Sequence, residues 1–155
     1  VGDDDVAEAV RWMKRLNKQA AQLALASGAH AVTDVTGFSL LGHGWEMASA
    51  SGVGFRLAYG SIPFISCAAR FADQWLFPGG ASDNAQYFGH HVRFDPELDE
   101  ASRMLLFDPQ TSGGLLMAVP PERVDAVLEQ GSAAGQPLWV IGDVVDGDGI
   151  DVALE

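Results

Sequence analysis

Apolar positions fall at helical spacing from the start of the chain: Val6, Val10, Met13, Leu16 and Leu23, with alanines between them. This predicts one long amphipathic helix. The Asp3-Asp4-Asp5 cluster suits its positive N-terminal end, and Gly28 is placed to stop it. Ala31-Val32-Thr33 reads as a short buried strand ending at Asp34. Residues 38–50 predict a second helix closed by Gly52, although Gly42 and Gly44 each cost a helix about 1 kcal/mol relative to alanine. Residues 53–59 alternate as a strand, and 63–76 carry a helical pattern.

A stretch rich in Gly, Ser, Asn and His, residues 77–94, predicts a long loop. Loops beyond about 12–15 residues are uncommon unless they are functional or mobile. Residues 96–106 then predict a short helix and 114–119 a strand. A further helix opens at Pro120-Pro121-Glu122, where proline is acceptable in the first turn. Two last strands, 138–145 and 150–154, flank the turn Asp146-Gly147-Asp148-Gly149 as a hairpin. Helices and strands mix without strict alternation. The expectation is a single α+β domain over residues 1–155, a mixed β-sheet covered by helices.

Composition narrows the function. Of 155 residues 48% are hydrophobic and 19% charged, which is the composition of a globular domain long enough to bury a real core. The formal net charge is −12 with only nine Lys and Arg, which argues against a nucleic-acid surface and against binding to an anionic membrane. An anionic substrate would need backbone amides or a metal to neutralise it. Cys67 is the single cysteine, so a reducing cytoplasm is the default expectation. It lies in an apolar helical stretch and reads as a buried small hydrophobe. No apolar run approaches the eighteen or so residues of a membrane span. The chain opens on Val1 rather than Met, as a piece of something longer would.

Two stretches carry candidate chemistry. In HAVTDVTGFSLLGHG, residues 30–44, Asp34 sits where a strand stops, and Thr36-Gly37 turn the chain into a helix. Free amides point outward at such places, and a carboxylate there can hold a hard cation such as Mg²⁺. The alternative is that Asp34 merely caps the turn, accepting from the amides of Thr36 or Gly37. In DPQTSGGLLMAV, residues 108–119, Asp108 can fold into an Asx turn over Pro109, Gly113-Gly114 permit close backbone approach, and Thr111 and Ser112 offer hydroxyls to a phosphate. The alternative is a tight strand-entry loop whose polar groups bond one another. His30, His43, His90 and His91 have no metal-ligand spacing. His43 reads as a packing or hydrogen-bonding residue, His90-His91 as solvated loop, and the four tryptophans as core or interface anchors.

Taken together, TDVTGFSLLGH and DPQTSGGLL, some seventy residues apart, resemble the C-terminal half of the selenide, water dikinases, the selenophosphate synthetases. Leu16-Asn17 and Ala20 in the leading helix, Gly79, Gly80 and Asn84 in FPGGASDNAQYFG, and the closing WVIGDVV extend the likeness along the whole chain. One position departs. Where the family usually has a second glycine after its phenylalanine, this chain has Ser39, which is tolerated wherever φ stays negative.

The resemblance implies the fold of the aminoimidazole ribonucleotide synthetase-like enzymes and an ATP-dependent phosphotransferase making selenophosphate, AMP and phosphate from selenide, ATP and water. It implies Mg²⁺, an N-terminal ATP-binding half as partner, and a homodimer. Asp34 matches the aspartate that this half adds to the metal cluster. Thr33, Thr36, Gly37, Thr111, Ser112 and Gly113 match nucleotide, phosphate or interdomain contacts. The reactive cysteine or selenocysteine and its lysine belong to the other half, so no catalytic residue is expected here, and the fragment alone should not turn over. Two other readings stay open: a same-fold relative working through an acyl phosphate, and a binding or dimerisation module without chemistry.

Overall fold

The computed structural model describes residues 1–155. In chain order it has α1 (Asp3–Met13), α2 (Lys18–Ser27), β1 (Ala31–Asp34), α3 (Ser39–Ser51), β2 (Gly54–Ala58), α4 (Ala68–Ala72) and α5 (Gly79–Phe88). Then come β3 (Val92–Phe94), α6 (Glu100–Leu105), β4 (Leu115–Ala118), α7 (Val124–Ala133), β5 (Gly142–Val145) and β6 (Ile150–Ala153). The α+β class expected from the sequence is the observed one.

The strands form two separate sheets. A four-stranded mixed sheet runs in the order β3-β6-β2-β5, with β6 parallel to both β3 and β2, and β5 antiparallel to β2. Its inner face presents Phe55, Leu57, Ile150 and Val152, which pack with Leu41 and Ala48 of α3, Phe88 of α5, and Leu98, Leu106 and Phe107. Each such side chain removed from water contributes about 1.5–3 kcal/mol before entropy is counted. The outer face is polar. Across all four strands one row reads Arg93, Asp151, Arg56, Asp143, alternating in sign, and Arg93 Nε donates to Asp151 Oδ1 at 2.6 Å. The second sheet is a two-stranded antiparallel ribbon of β1 and β4, with Asp34 opposite Leu115 at one end.

Four sequence expectations are corrected. The single leading helix is two, α1 and α2, broken over residues 14–17. The apolar spacing carries across that break, but α1 buries none of its residues, whereas α2 buries Ala20, Leu23, Ala24 and Ser27. The expected helix over 63–76 shrinks to α4.

The expected loop over 77–94 holds α5, a 3₁₀ turn at Gly89–His91 and strand β3. Gly79 and Gly80 occupy the first turn of α5, where amides lack intrahelical partners in any case. The last two strands, expected as a hairpin, do not pair with each other. β2 lies between them. The loop therefore crosses the end of β2, where Phe55 N–H donates to Gly149 C=O at 3.0 Å. Gly149 has φ +74°, and a Cβ there would lie 2.6 Å from the His91 carbonyl oxygen, so only glycine fits the crossing.

Candidate functional site

The two stretches singled out by their residues meet backbone to backbone at the end of the β1–β4 ribbon. Beyond Asp34 and Leu115 the pairing continues into the loops: Val35 N–H donates to Gly114 C=O (2.9 Å), Gly113 N–H to Val35 C=O (3.1 Å) and Gln110 N–H to Thr36 C=O (3.0 Å). Gly113 is required by this approach and not by its φ. A Cβ on it would lie 2.2 Å from the Val35 carbonyl oxygen.

Three side chains fasten the junction, two of them from outside the two stretches. Asn84, buried in α5, donates through Nδ2 to the carbonyls of Gly37 (2.9 Å) and Phe107 (3.0 Å). Asn17, at the start of α2, donates to the Gly113 carbonyl at 3.1 Å. His43 reaches back from α3, where its Nε2 lies 3.2 Å from Phe38 N and 3.0 Å from Thr36 Oγ1, and its Nδ1 lies 3.1 Å from Glu46 Oε2. The N-terminus of α5 joins the same cluster, since a Cβ on Gly80 would lie 3.2 Å from Pro109 Cγ. Asn17, Asn84 and the glycine pair carried the family likeness in sequence, but which backbone groups they hold emerges only in three dimensions.

Asp34 is exposed, and its carboxylate accepts no hydrogen bond from the chain. The capping alternative is thereby corrected. The N-cap of α3 is Phe38, four residues further on, and it makes no side-chain cap bond. The Asx turn expected at Asp108 is also absent, because the Gln110 amide is engaged by Thr36. The Gln110 side chain instead donates to Asp108 Oδ2 (2.9 Å) and to its carbonyl (3.1 Å). Burial pushes the Asp108 carboxyl above the usual carboxylate range, against the bond from Gln110. Thr111 and Ser112 are exposed, and their hydroxyls are not bonded to the chain. Thr33 Oγ1 makes only a long bond of 3.4 Å to the Asp34 carbonyl.

Ser39 has φ +68°, so the departure from glycine falls where glycine would be favoured, and its side chain is fully buried. Cys67 is buried at the N-cap of α4, as expected. His91 is not solvated loop, since its ring stacks on Trp45 at 4.0 Å and 16°. Burial and the neighbouring His90 hold it below the ordinary imidazole value. Two of the tryptophans, Trp75 and Trp139, are half exposed and do not anchor the core.

The fit to a magnesium ion is partial and of the right kind. No group of three His, Cys, Asp or Glu side chains converges anywhere in the chain. Mg²⁺ takes one or two protein carboxylates and fills its remaining positions with phosphate oxygens and water. A single exposed, unengaged carboxylate at a strand end is the kind of ligand one contributing half of such a site would present.

An α+β lobe of this topology is shared with two solved structures. One is a thiamine-monophosphate kinase from Stenotrophomonas maltophilia (TM-score 0.51, 21% identity, covering 80% of this chain and 31% of that one). The other is the protein tt0281 from Thermus thermophilus (TM-score 0.52, 24% identity, 83% and 33%). At these identities the likeness is one of fold. The sequence is more specific: the family model described as AIR synthase related protein, C-terminal domain, matches residues 3–155, and the chain belongs to that family. It is 42% identical over 152 residues to a selenide, water dikinase of Burkholderia orbicola, covering 97% of this chain and 43% of the relative. A selenide, water dikinase of Rhizobium meliloti is 44% identical over 133 residues, covering 85% and 38%. The chain thus spans about two fifths of the length of these curated relatives.

Proposed function

We propose that this chain is the C-terminal domain of an ATP-dependent phosphotransferase that forms selenophosphate from selenide, ATP and water, and that it works only with an upstream ATP-binding half. The observation that carries this reading is the 42% identity to a selenide, water dikinase across 97% of the chain, on a fold whose two motif loops meet at one end of a ribbon. In this reading Asp34 supplies one carboxylate to Mg²⁺, whose charge neutralises the phosphates. Thr36, Gly37, Thr111, Ser112 and Gly113 line the same junction, with Thr33 on the strand beside it, and face the nucleotide phosphates or the partner half. Phosphoryl transfer needs placed donors and cations more than covalent chemistry. A domain of net charge −12 is suited to contribute a metal ligand and backbone donors to that task. The working enzyme is a cytoplasmic homodimer.

The test joins the chain to its natural upstream segment and follows phosphorus NMR with ATP, Mg²⁺ and selenide. Selenophosphate formed by the wild type and lost by a folded Asp34→Asn variant supports both the activity and the ligand role. Selenophosphate undiminished in Asp34→Asn returns Asp34 to a bystander. ATP binding without any selenophosphate moves the reading to a relative acting through an acyl phosphate.

A further inference from the structure

His43 bonds in a way that its place on a glycine-bearing helix does not announce. The turn 36–38 leads into α3, and its N-cap residue, Phe38, has no side-chain oxygen with which to cap. The backbone N–H of Phe38 itself is taken up by a residue five positions on. Phe38 N–H can only donate, so the His43 Nε2 at 3.2 Å must be the unprotonated, accepting nitrogen. The Thr36 hydroxyl, 3.0 Å away, then donates to the same lone pair. With Nε2 bare, the neutral ring carries its proton on Nδ1, which donates to Glu46 Oε2 at 3.1 Å. Glu46 therefore selects the tautomer, and the imidazole clamps both ends of the turn. The ring is well covered, at 14% side-chain exposure, and packs against the Phe38 ring at 5.2 Å between centroids. Asn84 Nδ2 donates to the intervening Gly37 carbonyl at 2.9 Å.

We infer that His43, oriented by Glu46, is a positioning residue for the reaction. By fixing Thr36 and Phe38 it sets the exit of β1, and with it the direction in which the Asp34 carboxylate is presented. This rests on the reading of Asp34 as a metal ligand. The logic is that of outer partners elsewhere, whose removal lowers metal affinity or activity by roughly 10–100-fold without touching the ion. Ser39, in left-handed backbone at the next position, makes the clamp more necessary, because the turn stores strain that favours rearrangement.

The experiment uses the natural full-length protein in three forms: wild type, His43→Leu, which removes the acceptor, and His43→Gln, whose amide oxygen can replace Nε2. Three quantities are read: hydrogen–deuterium exchange of the peptide spanning 33–39, Mn²⁺ affinity by electron paramagnetic resonance, and kcat against the KM for ATP. The expected result is faster exchange in that peptide for His43→Leu and Mn²⁺ binding weakened by roughly tenfold or more, with substantial recovery of both in His43→Gln. The KM for ATP should move less than kcat. A folded His43→Leu protein with wild-type exchange and Mn²⁺ affinity overturns the inference. Equal losses in both variants with unchanged exchange overturn it too, since the defect then does not run through the acceptor. Should the wild type form no selenophosphate, the proposed function fails, while exchange at 33–39 still decides whether His43 holds the turn.

Discussion

Ser39 and Gly113 mark opposite ways in which one residue meets the demands of the motif junction. Ser39 adopts φ +68° with a fully buried side chain, and its hydroxyl gains only a 3.4 Å bond from the Gly42 amide. A left-handed conformation costs an L-residue about 1–2 kcal/mol, and glycine gives part of that back through its freer unfolded state. Ser39→Gly should therefore raise stability by about 1 kcal/mol, read as a higher denaturant midpoint at unchanged slope. Gly113 meets its demand fully, because its bare Cα lets the Val35 carbonyl approach to where a Cβ would lie 2.2 Å away. Gly113→Ala should cost about 2–3 kcal/mol, and exchange of the Val35 and Gly113 amides should speed up more than that of the four-stranded sheet.

The four-stranded sheet shows how elements divide the chemistry. Its inner face is sealed by α3 and α5, and its outer face bears the alternating row Arg93, Asp151, Arg56, Asp143. The bond from the Arg93 guanidinium holds the Asp151 carboxyl below the usual range. Both side chains stay substantially exposed, so the pair sets strand register more than it adds stability. A double-mutant cycle on Arg93→Ala and Asp151→Ala should show a small favourable coupling in low salt that fades as salt is raised. A coupling indifferent to salt would mean that the row acts by packing.

For the molecule as a whole, acidification acts in two separate windows. His91, stacked on Trp45, has its folded value depressed by burial and by His90, so the unfolded chain takes up the proton first. Its contribution is present above the ordinary value of about 6.5 and is lost as pH falls below it. His91→Phe should keep the stack and remove that loss, narrowing the difference in melting temperature between pH 7.5 and 5.5 as measured by calorimetry. The carboxylates of Asp5, Glu8, Asp99 and Asp151 lie below their usual range, held by bonds from Gly2, Ser66, Ser102 and Arg93 respectively. Their stabilisation disappears only as pH drops through those lowered values. Asp108 runs the other way, because its raised carboxyl favours the folded state as it protonates.

What the sequence determined by itself was local and compositional. Alternation and glycine punctuation located β1, α3, β2, α6 and β4 to within a few residues. The two motif strings pointed to a family that matches residues 3–155. The loop over 77–94 and the unbroken first helix misread because glycine-rich composition looks the same in a loop and in the first turn of a helix. Apolar spacing likewise carries through a short break. Tertiary structure alone decided that strands 142–145 and 150–153 flank β2, since pairing partners depend on which edges the core leaves open. It alone placed TDVTG against DPQTSGG, with Asn17 and Asn84 reaching in from distant parts of the chain, because hydrogen bonds across such separations depend on the packed fold and not on local spacing.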